Sequence, residues 1–173
     1  TDIFYKDFFV EYNKVVESVK ATNNISDQEN ARDFVLLFAI RTIFLGFIQK
    51  RGWIGSDEKF IQNLFIKYEK KVEFKNNFYK EWLSLLFFES FNHKFFPRRY
   101  LSKEVNSDFQ MAPYLNGGLF KKKIGHDDQG WYIPDLEIKN FFDFLFSYSF
   151  TIEENSLEDE DLQLNPEFLG IIF

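Results

Sequence analysis

"FVLLFAIRTIFLGFI", Phe34 to Ile48, is apolar almost throughout, with Arg41 in its middle. It is too short for a membrane span, which takes roughly 18 or more apolar residues. Just before it, "SDQE", Ser26 to Glu29, reads as a capping box, with Ser26 accepting from the turn and Glu29 reaching back. Just after it, Gly52 offers a left-handed stop. The stretch therefore predicts a helix over about 27–50. A helix apolar nearly all the way round belongs in the centre of a fold. Arg41 then goes inside with it, and a buried guanidinium needs a carboxylate or carbonyl partner.

Working outward, Phe4, Phe8, Tyr12, Val15, Val16 and Val19 recur at spacings of three and four and predict a helix over 1–20, broken by "ATNNI". Downstream, a short helix is expected near 57–70. Another runs from about 75 to 92, with Phe78, Trp82, Leu85, Leu86 and Phe91 inward, and Pro97 closes that region. Residues 100–134 are the least regular. There "GLFKKKI" and "WYIP", around "GHDDQG", suggest a β-hairpin near 119–134. Asp135 is placed to cap a helix with Ile138, Phe141, Phe142, Leu145 and Phe146 on one face. "FTI" and the acidic loop "EENSLEDED" follow. Asn165-Pro166 reads as a cap and first-turn proline. The chain ends about two turns later and starts without Met, so it is expected to be a piece of something longer. The expected class is mainly α: one helical, bundle-like domain over 1–173, with the small hairpin.

The bulk numbers agree with a folded domain. In 173 residues there are 25 Phe, enough rings to supply much of a core. The chain has no Cys, which excludes a disulfide framework, a Cys-ligated zinc site and a thiol nucleophile, and fits the cytoplasm. No signal peptide is visible. The net charge of −6 is unevenly spread: residues 1–40 sum to −3, 41–123 to +8 and 124–173 to −11. The basic middle could face a polyanion or complement the acidic tail within the fold.

Several stretches invite a chemical reading. "PDLEIK", Pro134 to Lys139, has the letters of a metal nuclease. However, Asp135 and Glu137 lie two apart at a helix start rather than converging from adjacent strands. His126, Asp127 and Asp128 are adjacent in a Gly-flanked loop, which suits a polar turn better than a metal site. His93 stands alone after an aromatic run. There is no GxGxxG and no Walker loop. No catalytic, cofactor or metal residue is assigned. "FFPRRYLSKE" is both basic and aromatic: Arg98, Arg99 and Lys103 could meet phosphates, and Tyr100 could stack. Lys121, Lys122 and Lys123 could do the same from a hairpin tip. "PYLNGGLF" reads as a docking turn in which Asn-Gly-Gly holds positive φ and tucks Leu115, Leu119 and Phe120 into a neighbour. Its candidate docking residues are Pro113, Tyr114, Asn116, Gly117, Gly118 and Phe120.

Five stretches, in order, resemble one family: "ARDFVLLFAIRTIFLGFIQKRGWIG", "NNFYKEWLSLLFFESFN", "PYLNGGLF", "FFDFLFSYSFTIEEN" and "LNPEFLGIIF". They resemble the region just before the methyltransferase core of type IIG restriction–modification enzymes. The same region occurs in related adenine-specific DNA methyltransferases, including phage-exclusion types. The resemblance covers roughly residues 31–173, and its most specific parts are the NGGLF turn, "FTIEEN" and "PEFLG". One departure is Ser149, where the family pattern has Asn before the Phe.

The resemblance implies a parent chain that uses S-adenosylmethionine, and Mg²⁺ if it also cleaves. Its partners would be neighbouring methyltransferase and nuclease modules and DNA, with no membrane. The family's Gly-rich cofactor loop and its Asn-Pro-Pro-Tyr are absent here; Asn165-Pro166 is followed by Glu167. The implied role is a non-catalytic helical connector that positions the modules. The alternatives are a free-standing helical module that binds protein or nucleic acid, and a divergent nuclease using Asp135, Glu137 and Lys139.

Overall fold

The computed structural model describes residues 2–71, 75–115, 117–151 and 161–163. Helix α1 spans Asp2–Asn23 and α2 spans Gln28–Lys50. Then come α3, Phe60–Lys71, and a π-helical segment in two runs, Phe78–Leu83 and Leu86–Ser90. Helices α4, Lys103–Gln110, and α5, Asp135–Leu145, complete the helical set. Two three-residue strands, β1 (Ser149–Thr151) and β2 (Asp161–Gln163), pair in parallel, Ser149 opposite Asp161. The protein is mainly α-helical, as its periodicities predict. The expected helix from Asn165-Pro166 and the "EENSLEDE" part of the acidic loop lie outside the described residues.

Helix α2 is the centre. Fourteen of its 23 residues are buried, on all sides. Helix α1 lies along it with all six predicted residues, Phe4 through Val19, inward. Phe4, Phe8 and Tyr12 form a ladder of rings 5.9 Å apart at each step, the i,i+4 neighbours of one helix face. Helix α5 closes this layer, with Ile138, Phe141, Phe142 and Leu145 inward. The buried apolar side chains from Phe4 to Phe150 form one continuous core. No helix among the described residues is long and apolar enough to cross a membrane.

The ends of α2 are fixed in different ways. At its start the cap is Asp27, not Ser26. The Asp27 carboxylate accepts from the Glu29 and Asn30 amides at 2.9 and 3.3 Å. A carboxylate one residue nearer the first turn displaces the expected box. At its end Gly52 has φ +74°. The Gly52 and Trp53 amides bond back to the Gln49 and Ile48 carbonyls, the paired bonds of a Schellman stop. Gln49, buried beside this stop, accepts from the Ile61 amide at 3.0 Å and donates to Gln62 at 2.8 Å. It thereby ties α3 to α2. Gly46 is where β1 comes closest: a Cβ there would stand 2.4 Å from the Phe150 ring.

The segment expected as an α-helix over 75–92 is wound more loosely. Its buried residues come in pairs at a repeat of four: Phe78 and Tyr79, Trp82 and Leu83, Leu86 and Phe87, Ser90 and Phe91. Leu85, expected inward, is half-buried. In an α-helix of 3.6 residues per turn each such step drifts by about 40°. The third step would leave the face entirely. Five-residue bonds such as Phe91 N–H to Leu86 O, 3.1 Å, take up the extra residue and hold every pair inward.

Arg41 meets the requirement set by its burial. With 1% of its side chain exposed, it forms a two-pronged pair with Asp127, itself 0% exposed, at 2.8 and 2.9 Å. Its Nε donates to the Leu119 carbonyl at 2.8 Å and its Nη2 to the Lys121 carbonyl at 3.2 Å. This also explains why 119–134 contains no hairpin. The carbonyls a ladder would use bond to Arg41, and Asp127 Oδ2 takes the Lys123 amide at 2.7 Å. The stretch folds instead as consecutive turns around the buried pair.

Removing one member of such a pair leaves an uncompensated buried charge, at a cost of about 3–5 kcal/mol. Arg41→Met should therefore lose about that much in urea-denaturation stability. Arg41→Met with Asp127→Leu should recover most of it.

Candidate nucleic-acid interface

Two apolar residues of the docking turn, Leu115 and Phe120, are held inward. Phe120 is buried against Phe91, Phe87 and Phe44, at 4.7, 5.5 and 6.0 Å between ring centres. The Leu115 amide donates to the Phe91 carbonyl at 2.8 Å. Asn92 spans the two sides, donating to the Phe87 and Phe120 carbonyls at 3.1 and 2.7 Å. "PYLNGGLF" is thus seated on the end of the π-helical segment. Pro113 is half-buried and Tyr114 is exposed. Gly117 and Gly118 have open space where a Cβ would go, and neither has positive φ, so the turn does not depend on glycine at these two positions. Asn116 lies outside the described residues.

The candidate cations divide into two groups. Arg98 is engaged: its guanidinium pairs with Glu89, donates to the Phe96 carbonyl at 2.7 Å and lies 5.4 Å over the Phe95 ring. Its backbone is held by Asn106, which takes the Arg98 amide at 2.8 Å and donates to the Arg98 and Leu101 carbonyls. Arg99, Lys103, Lys121, Lys122 and Lys123 are exposed, and none has a carboxylate partner among the described residues. Ser102 caps α4, with its Oγ accepting from the Val105 amide at 3.2 Å, and so presents Lys103 on the first turn. The Tyr100 ring is half exposed while its hydroxyl donates to the Glu81 carbonyl at 2.9 Å. Lys121 to Lys123 sit on the turn that Arg41 and Asp127 fix.

The acidic candidates serve the fold. Asp135 is fully buried, and it does not cap its own helix. Its carboxylate accepts from the Tyr68 hydroxyl at 2.7 Å and from the Asn76 and Phe78 amides at 3.0 and 3.3 Å. The Asp135 amide in turn donates to Asn76 Oδ1 at 3.0 Å. A staple between α5 and the start of the π-helical segment outcompetes the cap because three donors converge on one carboxylate. Lys139 pairs with Glu69 at 3.4 Å. Among the described residues no three His, Cys, Asp or Glu side chains could hold a metal ion. By its local sequence Asp127 reads as a turn residue. The unpaired Arg41 in an apolar helix was the signal that some distant acid had to be its partner.

Two outcomes follow from these contacts. Phe120→Ala should cost about 3–5 kcal/mol in thermal or urea unfolding, whereas Gly117→Ala should stay within about 0.5 kcal/mol. The Tyr68 phenol is pushed up to about 12, first by burial and then by its bond to Asp135. The native state holds that proton more tightly than the unfolded chain. The stability it confers is complete below pH about 10 and is lost as pH rises through 12. Tyr68→Phe should flatten that alkaline decline in a pH series of melting temperatures.

No protein-family model matches the chain, and no solved structure matches it. A protein of Methanocaldococcus jannaschii named "Putative type II restriction enzyme and methyltransferase RM.MjaORFECS2P" is 30% identical to it over 156 residues. The match takes in 90% of this chain and 13% of that protein's length. This similarity relates the chain to restriction–modification enzymes, through a segment making up a small part of one.

Proposed function

We propose that this chain is a helical connector of a restriction–modification enzyme, fixing the distance and orientation of its methylating and cleaving modules. The observation that carries this reading is the lopsided match: nearly all of this chain aligns to 13% of a protein named for both activities. A segment of that size, built round a single hydrophobic core, suits a rigid spacer. The parent would methylate adenine with S-adenosylmethionine, and would use Mg²⁺ if it cleaves. Neither group fits the residues described. The Gly-rich cofactor loop is absent from the sequence, and Asp135, the acid a nuclease reading needs, is saturated by three donors. Both groups would belong to other parts of the parent. The connector adds phosphate contacts through Arg99, Lys103, Lys121, Lys122 and Lys123.

The deciding experiment is to sequence the parent gene beyond both ends of this chain. A Gly-rich loop and Asn-Pro-Pro-Tyr after Phe173 are expected. A stop codon soon after Phe173 would overturn the connector reading in favour of a free-standing module. The phosphate contacts have their own check, duplex binding at increasing salt. Binding should weaken with a log–log slope of about −0.9 per phosphate neutralised. Reversing Lys121, Lys122 and Lys123 to Glu should lower that slope.

A further inference from the structure

The cations proposed above to meet phosphates lie on exposed stretches. A different cation, Lys80 of the π-helical segment, lies in a cleft of about 340 Å³, together with Tyr79, Phe88, Lys122 and Trp131. We propose that this cleft binds one nucleotide, its phosphate held between Lys80 and Lys122 and its base laid on Trp131.

The volume falls at the lower end of the range for small-ligand sites, about 300–1,000 Å³. Both lysines are positioned by rings rather than by acids. Lys80 Nζ lies 4.2 Å over the Tyr132 ring and Lys122 Nζ 5.8 Å over Phe88. Neither has a carboxylate in ion-pair range among the described residues, so both charges remain available to an anion. Two acids line the same cleft, Asp127 and Asp128. The first is neutralised by Arg41 through both oxygens. The second accepts from the Gly125 amide at 2.8 Å.

Trp131 is half-buried and stands perpendicular to Phe34, with 5.3 Å between ring centres. Perpendicular contact with one ring leaves an indole face for a base, and such stacking tolerates any base. The third element is the Tyr79 hydroxyl. Tyr79 is 5% exposed, and its hydroxyl has no hydrogen-bond partner among the described residues. Burial, and then the nearby Asp127 charge, hold its proton on. Tyr79 lines the cleft, and a hydroxyl with no protein acceptor can donate to a base nitrogen, a base carbonyl or a sugar oxygen. The turn that carries Lys122 and Trp131 is held at both ends. Arg41 and Asp127 hold its start, and Asn23 holds its end, exchanging bonds of 2.7 and 2.9 Å with both peptide groups of Tyr132.

This site does not rest on the connector reading, because it is tested on this chain alone. Tryptophan fluorescence would be followed during titration with 5′-dAMP, with an eight-nucleotide thymidine oligomer and with inorganic phosphate. Both nucleotides should quench, phosphate alone should not, and Trp131→Phe should abolish the quench. Lys80→Ala and Lys122→Ala should each weaken nucleotide binding about tenfold, and Tyr79→Phe about threefold, with circular dichroism unchanged. Tighter binding of the oligomer would identify a DNA strand as the ligand source, and equal binding a free nucleotide. The site is overturned if millimolar 5′-dAMP does not quench. It is equally overturned if Arg99→Ala, outside the cleft, weakens binding as much as Lys80→Ala.

Discussion

A guanidinium inside an apolar helix has few tolerable states. Its charge must be matched and its donors filled, or the helix cannot stay buried. In this chain four bonds from Arg41 meet that demand, two to Asp127 and one each to the Leu119 and Lys121 carbonyls. The Phe88 ring adds a fifth contact, 4.8 Å from the guanidinium carbon. Through these contacts the central helix determines the path of a loop that has no regular structure of its own. The position of the basic turn, the depth of Phe120 and the wall of the Trp131 cleft all depend on that one pairing.

A second constraint comes from the crowding of rings. Phe65, Tyr68, Phe78, Trp82 and Phe142 meet at centre distances of 4.8 to 6.3 Å, largely edge to face. Rings of this size cannot slide to correct a helix that drifts off its face. The backbone yields instead and opens into π turns. The Asp135 carboxylate then holds the mouth of that segment by two amides.

The helices were largely legible because their signals are local. The spacing from Phe4 to Val19, the apolar belt from Phe34 to Ile48 and the Gly52 stop each lie within a few turns. What escaped was decided between distant residues. The hairpin near 119–134 was inferred from Gly and aromatic placement, and a guanidinium 80 positions earlier took its carbonyls. Asp135 looked like a cap because caps are local; its actual donors lie 57 to 67 positions away. The π winding was readable in principle, since buried pairs at a strict repeat of four do not suit 3.6 residues per turn. Among the interface candidates the exposed cations were legible as charges. Their separation from Arg98 was not, because it depends on Glu89 reaching across nine positions.

The separation of Arg41 from its acid also affects how the chain is made. Asp127 follows Arg41 by 86 positions. At ribosomal speeds of about 5–20 residues per second, the guanidinium is synthesised roughly 4–17 s before its counter-ion exists. Throughout that interval the central helix carries a charge that forbids complete burial. Until Leu119, Lys121 and Asp127 have been made, none of the four bonds that match this charge can form. The central helix thus depends for its complete burial on a turn synthesised long after it.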